Sequence, residues 1–312
     1  MITGTAESVR RTYGETLVRI GRENPDIVVL EADLMKASGS RPFLDAFPER
    51  HFQVGIAEQN LVSAAAGFAA MGKTPFASSF ANFISQRSCD QAFMMAYNNF
   101  NVKLVGTYAG LSSAINGGTH MSVEDIAIYR SMPNLTVISP GDCTEFSKAL
   151  EAAANTYGPV YISIARGPMP PIFPKDYNFE AGKSVVMREG SDITLITTGI
   201  TTSEGIKAGE ILKRKGIEVR HIHMHTIKPV DENEIVKSAR ETGIIVTAEN
   251  HSILGGLGSA VAETVCGEHP ARVEKLGLKD MFGETGKLEW LMDRFEISSS
   301  HIADTAVRLL GA

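Results

Sequence analysis

The feature that most constrains this chain is a regular alternation of amphipathic segments with short apolar runs rich in β-branched residues. Strands buried on both faces read as continuous apolar runs, and helices that cover them read as amphipathic, so the rhythm predicts an α/β fold with mainly parallel sheets flanked by helices. Helices are expected at 6–23, 59–71 (closed by Gly72), 82–97, 124–131 and 143–155, with strands at 27–30, 76–78, 102–106, 135–139 and 160–165. These complete one doubly wound layer by residue 167. Four of the chain's 13 prolines then fall between Gly167 and Ser184, which reads as a connector crossing a surface. After it the rhythm resumes, with strands at 193–197, 218–223 and 244–248 and helices at 202–215, 232–241, 257–266 and 300–310. We therefore expect two domains, 1–167 and 190–312, joined by a linker at 168–189. A length of 312 residues, 43% of them hydrophobic, is enough for two ordinary cores.

Charge narrows the function. A net charge of -6, with basic and acidic residues mixed along the chain, offers no stripe for a polynucleotide, so no nucleic-acid partner is expected. The N-terminus lacks an apolar leader core and no later run reaches the ~20 apolar residues of a membrane span, so a soluble, unprocessed protein without a membrane partner is expected. Cys89, Cys143 and Cys266 are odd in number and far apart, which disfavours disulfides or a zinc cluster and suits the cytoplasm.

The most informative stretch is Val54-Gly55-Ile56-Ala57-Glu58-Gln59-Asn60, where a carboxylate falls between an apolar segment and an Ala-rich helix. A carboxylate so placed is poorly hydrated. On its own, a glutamate at a helix start more often sits in solvent and serves the helix dipole. Its company changes that reading. Ser78-Ser79-Phe80-Ala81-Asn82-Phe83 lies at a strand-to-helix junction, the crevice where open α/β sheets bind ligands, and Phe80 and Phe83 could stack on a flat ring, although two such Phe are more often core. Asn116-Gly117-Gly118-Thr119-His120 then gives a glycine loop presenting a histidine ahead of a helix.

In this order and spacing, the segments VGIAEQNLVSAAAGFAAMG, SSFANFISQRSCDQ and GGTHMSVEDIAIYRSMPNLTVISPGD resemble the transketolase family, and the resemblance runs from about Thr12 to the C-terminus. MHTIKPVD and ENHSILGGLGSAVAE are similar to that family's C-terminal domain. The resemblance implies a thiamine-diphosphate enzyme in which Glu58 bonds N1′ of the cofactor's aminopyrimidine and so promotes removal of the thiazolium C2 proton. It implies that Ile56, Phe80 and Phe83 line the pyrimidine pocket, that Asp33 lies near the cofactor, that His120 meets substrate oxygens, and that Arg166 receives a sugar phosphate, for which a guanidinium fork is suited.

The chain also departs from the family's pattern. Tyr108 stands in place of a histidine, Asn116 in place of an aspartate, Ala37 or Lys36 in place of a serine, and Gln86 in place of a tyrosine. These changes alter which sugar hydroxyls Tyr108 and Asn116 can bond and leave the particular sugar open. The Gly-Asp-Gly segment and asparagine that hold Mg²⁺ against the diphosphate have no counterpart, the nearest string being Gly141-Asp142-Cys143. The expectation is a C-terminal subunit with no metal ligands of its own, active only with an N-terminal diphosphate-binding subunit, as an α2β2 assembly handling sugar phosphates. Competing readings are the β subunit of a 2-oxoacid dehydrogenase decarboxylase component, a 1-deoxyxylulose-5-phosphate synthase-like enzyme, and a non-catalytic assembly subunit. Three further features are expected to be structural: His221, His223 and His225, which alternate along a strand and could otherwise face zinc; Gly255-Gly256-Leu257-Gly258, which could otherwise bind an anion; and Met94 and Met95 beside Tyr97.

Overall fold

The computed structural model describes residues 4–311. Two sheets organise the chain, and each is parallel except for one antiparallel edge strand. The first has seven strands in the spatial order Thr226–Lys228, Thr136–Ile138, Val160–Ile164, Lys103–Thr107, Thr74–Phe80, Ile27–Glu31, His51–Gln53. The second has five, in the order Arg272–Leu278, Ile244–Ser252, Ile193–Thr197, Val219–His223, Val185–Arg188. Most of the central strands are buried throughout, as their unbroken apolar runs require.

Several elements differ from the sequence reading, each for a local reason. The first helix is Val9–Glu23 and not 6–23, because Glu7–Ser8 pairs with Pro168–Met169 in a two-stranded ribbon. The expected helix 82–97 is two helices, Ala81–Gln86 and Cys89–Tyr97. Ser85 and Ser88 donate their hydroxyls back to the carbonyls of Ala81 and Ile84 at 2.7 and 2.6 Å, and Ser88 takes up the cap position of the second helix. Such back-bonding competes with a regular helix and bends it. The proline-rich connector is held down by Asp142, whose carboxylate accepts the backbone N–H groups of Ile172 and Phe173 at 2.6 and 2.8 Å.

The antiparallel strand Thr226–Lys228 comes from beyond the connector yet extends the first sheet beside Thr136–Ile138. No separate signal marks it in the sequence, since it follows Val219–His223 after only two residues. The histidine strand is also shorter than expected: His221 and His223 lie within it and His225 lies past its end. His221 shares a hydrogen bond with Thr197 at 2.9 Å, His223 with Thr202 at 2.6 Å and with Glu145 at 2.7 Å, and His225 with Thr226 at 2.8 Å. All three imidazoles are packed into the interior as hydrogen-bonding groups. The glycine run meets an anion of the chain's own: Glu249 accepts the N–H groups of Leu257 and Gly258 at 2.7 and 2.8 Å, filling the helix N-terminus. Met95 is buried, whereas Met94 and Tyr97 are exposed on the helix surface.

Candidate active site at the carboxyl ends of the first sheet

Glu58 is the first residue of the helix Glu58–Ala70, reached through a turn at Gly55 with φ +76°. Its side chain is only 4% exposed, against the solvated position that a lone first-turn glutamate would take. Among the described residues the carboxylate has one hydrogen-bond partner, Arg87, whose Nη1 donates to Oε1 at 3.0 Å. The Arg87 guanidinium lies over the Phe83 ring, 4.0 Å from its centroid. The sequence reading did not single out Arg87. Its i, i+4 spacing from Phe83 was the available signal, because that spacing sets both side chains on one helix face.

The remaining groups converge from the ends of successive parallel strands, where open sheets hold their ligands. Phe80 ends the strand Thr74–Phe80, Tyr108 follows Lys103–Thr107, and Arg166 follows Val160–Ile164. Phe80 and Tyr108 stack with centroids 4.1 Å apart, and Phe80 and Phe83 lie 5.5 Å apart. His120 packs edge-on against Phe83 at 5.2 Å, its loop anchored where Asn82 Nδ2 donates to the Thr119 carbonyl at 2.8 Å. Arg166 lies 5.0 Å from the Tyr108 ring centroid and donates from Nη1 to the Ser113 carbonyl at 3.3 Å. Arg10, another residue not anticipated, donates to the Tyr108 hydroxyl and lies 5.8 Å from the same ring. Two guanidiniums thus flank one tyrosine.

Asp33 and Tyr108 both adopt left-handed backbone conformations, with φ +60° and +62°. A non-glycine residue held there is strained, and such strain collects at functional sites. Asp33 is exposed at the rim, its N–H bonded to Gln53 Oε1 at 2.8 Å. Gln86 is also exposed and donates to Glu124 Oε2 at 3.2 Å. Ile56 is 75% exposed, outside the aromatic recess in the chain as it stands. Asn116 is half-buried on the His120 loop.

That loop is braced by the second domain. Asn250 accepts the Leu111 N–H at 2.9 Å and donates to the Ala109 carbonyl at 3.1 Å, and the Ser252 N–H donates to the Val123 carbonyl at 2.8 Å. A Cβ on Gly118 would collide with the Gly283 carbonyl, so the loop can pass there only as glycine. A separate groove lined by Arg11, Glu15, Arg19, Ser147 and Glu151 holds none of these residues.

The family model for the transketolase pyrimidine-binding domain matches residues 6–171, and that for the transketolase C-terminal domain matches residues 182–302. The chain belongs to the transketolase family. It is similar to the 6-deoxy-6-sulfo-D-fructose transketolase subunit SqwH of Clostridium sp. (strain MSTE9), at 42% identity over 96% of this chain and 93% of that protein. It is also similar to a putative transketolase C-terminal section from Methanocaldococcus jannaschii, at 40% identity over 97% and 96% of the two chains. Among solved structures, one described as a split gene transketolase, inactive beta4 tetramer, superposes with a TM-score of 0.91 at 41% identity, covering 99% of each chain. The transketolase assignment makes this a thiamine-diphosphate-dependent transferase, and the dehydrogenase and synthase readings are not favoured.

The residues present fit the pyrimidine end of that cofactor. A buried carboxylate beside an aromatic face already accepts a flat cation edged with N–H donors, the Arg87 guanidinium, as a stand-in for such a ring. Among the described residues no three His, Cys, Asp or Glu side chains group to hold a metal ion, and no helix is long and apolar enough to cross a membrane.

Proposed function

We propose that this chain is the C-terminal subunit of a split transketolase, moving a two-carbon ketol unit between phosphorylated sugars in a site shared with a second polypeptide. The observation that carries the reading is the burial of Glu58 beside Phe83, because a carboxylate is costly to bury and here it faces an aromatic wall with one half-exposed guanidinium as its donor. When bound, thiamine diphosphate supplies the electron sink for the carbon–carbon bond changes. Glu58 holds a proton at the N1′ atom of the pyrimidine, a positioned transfer typically worth about 10²- to 10⁴-fold in rate. Phe80 and Phe83 wall the ring, with Asp33, Ile56 and Gln86 at its rim. His120, Tyr108 and Asn116 meet the sugar's oxygen atoms and orient its carbonyl. Arg166, joined by Arg10, takes the anionic end of the substrate.

In this reading, residues 1–167 form the pyrimidine domain, 168–189 the connector, whose last segment Val185–Arg188 already adds an edge strand to the second sheet, and 190–312 the C-terminal domain. The diphosphate and Mg²⁺ belong mainly to an N-terminal partner, in an α2β2 assembly in the cytoplasm within carbohydrate metabolism of the pentose phosphate kind. Support comes from two relatives: one is named as a transketolase subunit, and the solved β chain is described as inactive when it is a tetramer of itself. The free thiols of Cys89, Cys143 and Cys266 suit a reducing compartment.

The test is ketol transfer between sugar phosphates by the chain assembled with its partner, set against lipoyl-dependent decarboxylation. Glu58→Ala should abolish transfer without disturbing assembly. Unchanged turnover in that variant would leave the chain only a scaffolding role.

A further inference from the structure

Both surfaces assigned to the cofactor's pyrimidine ring, the Glu58 carboxylate and the Phe83 face, are engaged by a single side chain. Arg87 Nη1 donates to Glu58 Oε1 at 3.0 Å, and the guanidinium lies 4.0 Å from the Phe83 centroid. A guanidinium is flat, positively charged and edged with N–H donors, so it can stack and donate to a carboxylate at the same time. An aminopyrimidine offers a flat ring and an N–H edge to the same two partners. We propose that Arg87 is a displaceable occupant of the aminopyrimidine seat, satisfying Glu58 and covering Phe83 until a flat, N–H-bearing heterocycle replaces it. The proposal rests on the reading that Glu58 and Phe83 receive the pyrimidine.

The two partners are unequally tied to the seat. The Glu58 side chain is 4% exposed and held at the start of its helix, whereas the Arg87 side chain is 49% exposed and sits just past the end of Ala81–Gln86. Leaving the buried carboxylate unpaired is costly, so Glu58 needs a partner at every stage. The half-exposed guanidinium can return to water at small cost, because exposed ion pairs are weak and a flexible four-bond stem can rotate without backbone movement. Exchange of one flat donor for another therefore keeps the carboxylate satisfied throughout. Phe83 likewise keeps a covering group, so the recess has no stage at which it stands open to water.

Displacement makes an unusual forecast for chemical labelling. A residue that contacts a ligand is protected when the ligand binds, whereas a displaced occupant becomes more reactive. The assembled complex is treated with phenylglyoxal, an arginine reagent, with and without thiamine diphosphate and Mg²⁺, and labelling of the Arg87 peptide is read by mass spectrometry. Labelling should rise severalfold on cofactor binding. Arg87→Ala should bind the cofactor roughly three- to tenfold more tightly in a calorimetric titration of the same complex, since nothing has to be displaced. Reduced or unchanged labelling overturns the proposal, as does weaker or equal binding by Arg87→Ala. Glu58→Gln separates this failure from that of the underlying reading: if that variant binds cofactor and turns over normally, the pyrimidine assignment itself is wrong. If Glu58→Gln loses binding while Arg87 labelling falls or stays constant, only the displacement is wrong.

Discussion

His223, on a strand of the second sheet, and Glu145, on the helix Cys143–Asn155 of the first domain, share a 2.7 Å hydrogen bond with both side chains fully buried. The Glu145 carboxylate also accepts the Gly141 N–H at 2.6 Å and the Tyr177 hydroxyl at 3.0 Å, so one side chain gathers the first domain, the connector and the second domain. His223 in turn meets Thr202 at 2.6 Å. Every polar edge of the pair is satisfied, which is the condition for burying such groups.

Removing one member strands the other. Glu145→Ala is expected to cost about 3–5 kcal/mol in urea unfolding, the usual range for a broken buried pair. A double substitution to apolar residues of similar volume should cost less than the sum of the singles. A loss below about 1 kcal/mol for Glu145→Ala would mean that water replaces the lost contacts.

The other two histidines set an acid limit. Burial and the neighbouring His223 push the His221 imidazole down to about 3, and burial holds His225 at about 4 against the opposing pull of Glu145. The folded chain thus prefers neutral imidazoles while the unfolded chain takes up protons near 6.5. Their contribution to stability is present above pH 6.5 and is lost as pH falls toward 4 and then 3. For His225 the ceiling is about 3 kcal/mol. Unfolding midpoints measured from pH 7 to pH 4 should fall more gently in His225→Gln than in the natural chain, and parallel curves would count against this account.

Glu31 acts at the opposite end. Burial raises its carboxyl to about 7, against the lowering effect of hydroxyls from Ser38 and Ser40, and its Oε1 accepts the Ser38 hydroxyl at 2.6 Å. A carboxyl that holds its proton more tightly when folded stabilises the fold fully below about pH 4.5, and that contribution is lost as pH rises through 7. Glu31→Gln should therefore gain on the natural chain between pH 5.5 and 8.5, by on the order of 1–3 kcal/mol. Melting temperatures at the two pH values test it; a variant that falls further behind at pH 8.5 refutes it.

The paired guanidiniums predict a split in kinetics. Arg166→Ala in the assembled enzyme should raise KM for a sugar phosphate roughly 10- to 100-fold, the loss of a charge-assisted contact of about 1.5–3 kcal/mol. The same variant should leave KM for a ketol donor without a phosphate within about twofold. Arg10→Ala should show the same pattern and also release the Tyr108 hydroxyl. Equal losses on both donor types would assign the arginines to structure instead.

The sequence revealed some of this more readily than the rest. Strands such as Ile27–Glu31 and Val160–Ile164 were plain because burial on both faces leaves only apolar residues. Glu58, Phe80, Phe83 and His120 were legible because each falls at a strand-to-helix junction or in a glycine loop, where this fold presents side chains. Arg87 and Arg10 were not: the i, i+4 spacing of Arg87 from Phe83 is shared by many pairs that never touch a site, Arg10 carries no local mark at all, and the meaning of each lies in the ring it covers. Asn250 escaped for a similar reason, since its two backbone partners lie about 140 positions away. The break at Arg87–Ser88 was hidden because serines occur often enough inside helices that two of them raise no alarm.

The strand Thr226–Lys228 means that the chain is woven together and does not simply consist of two beads on a string. A fragment ended in the connector would lose the ribbon that guards Thr136–Ile138 and expose a bare hydrogen-bonding margin, an invitation to stick to its own copies. Pieces prepared for separate study, or exchanged between relatives, must carry residues 226–228 along with the first sheet or accept that liability.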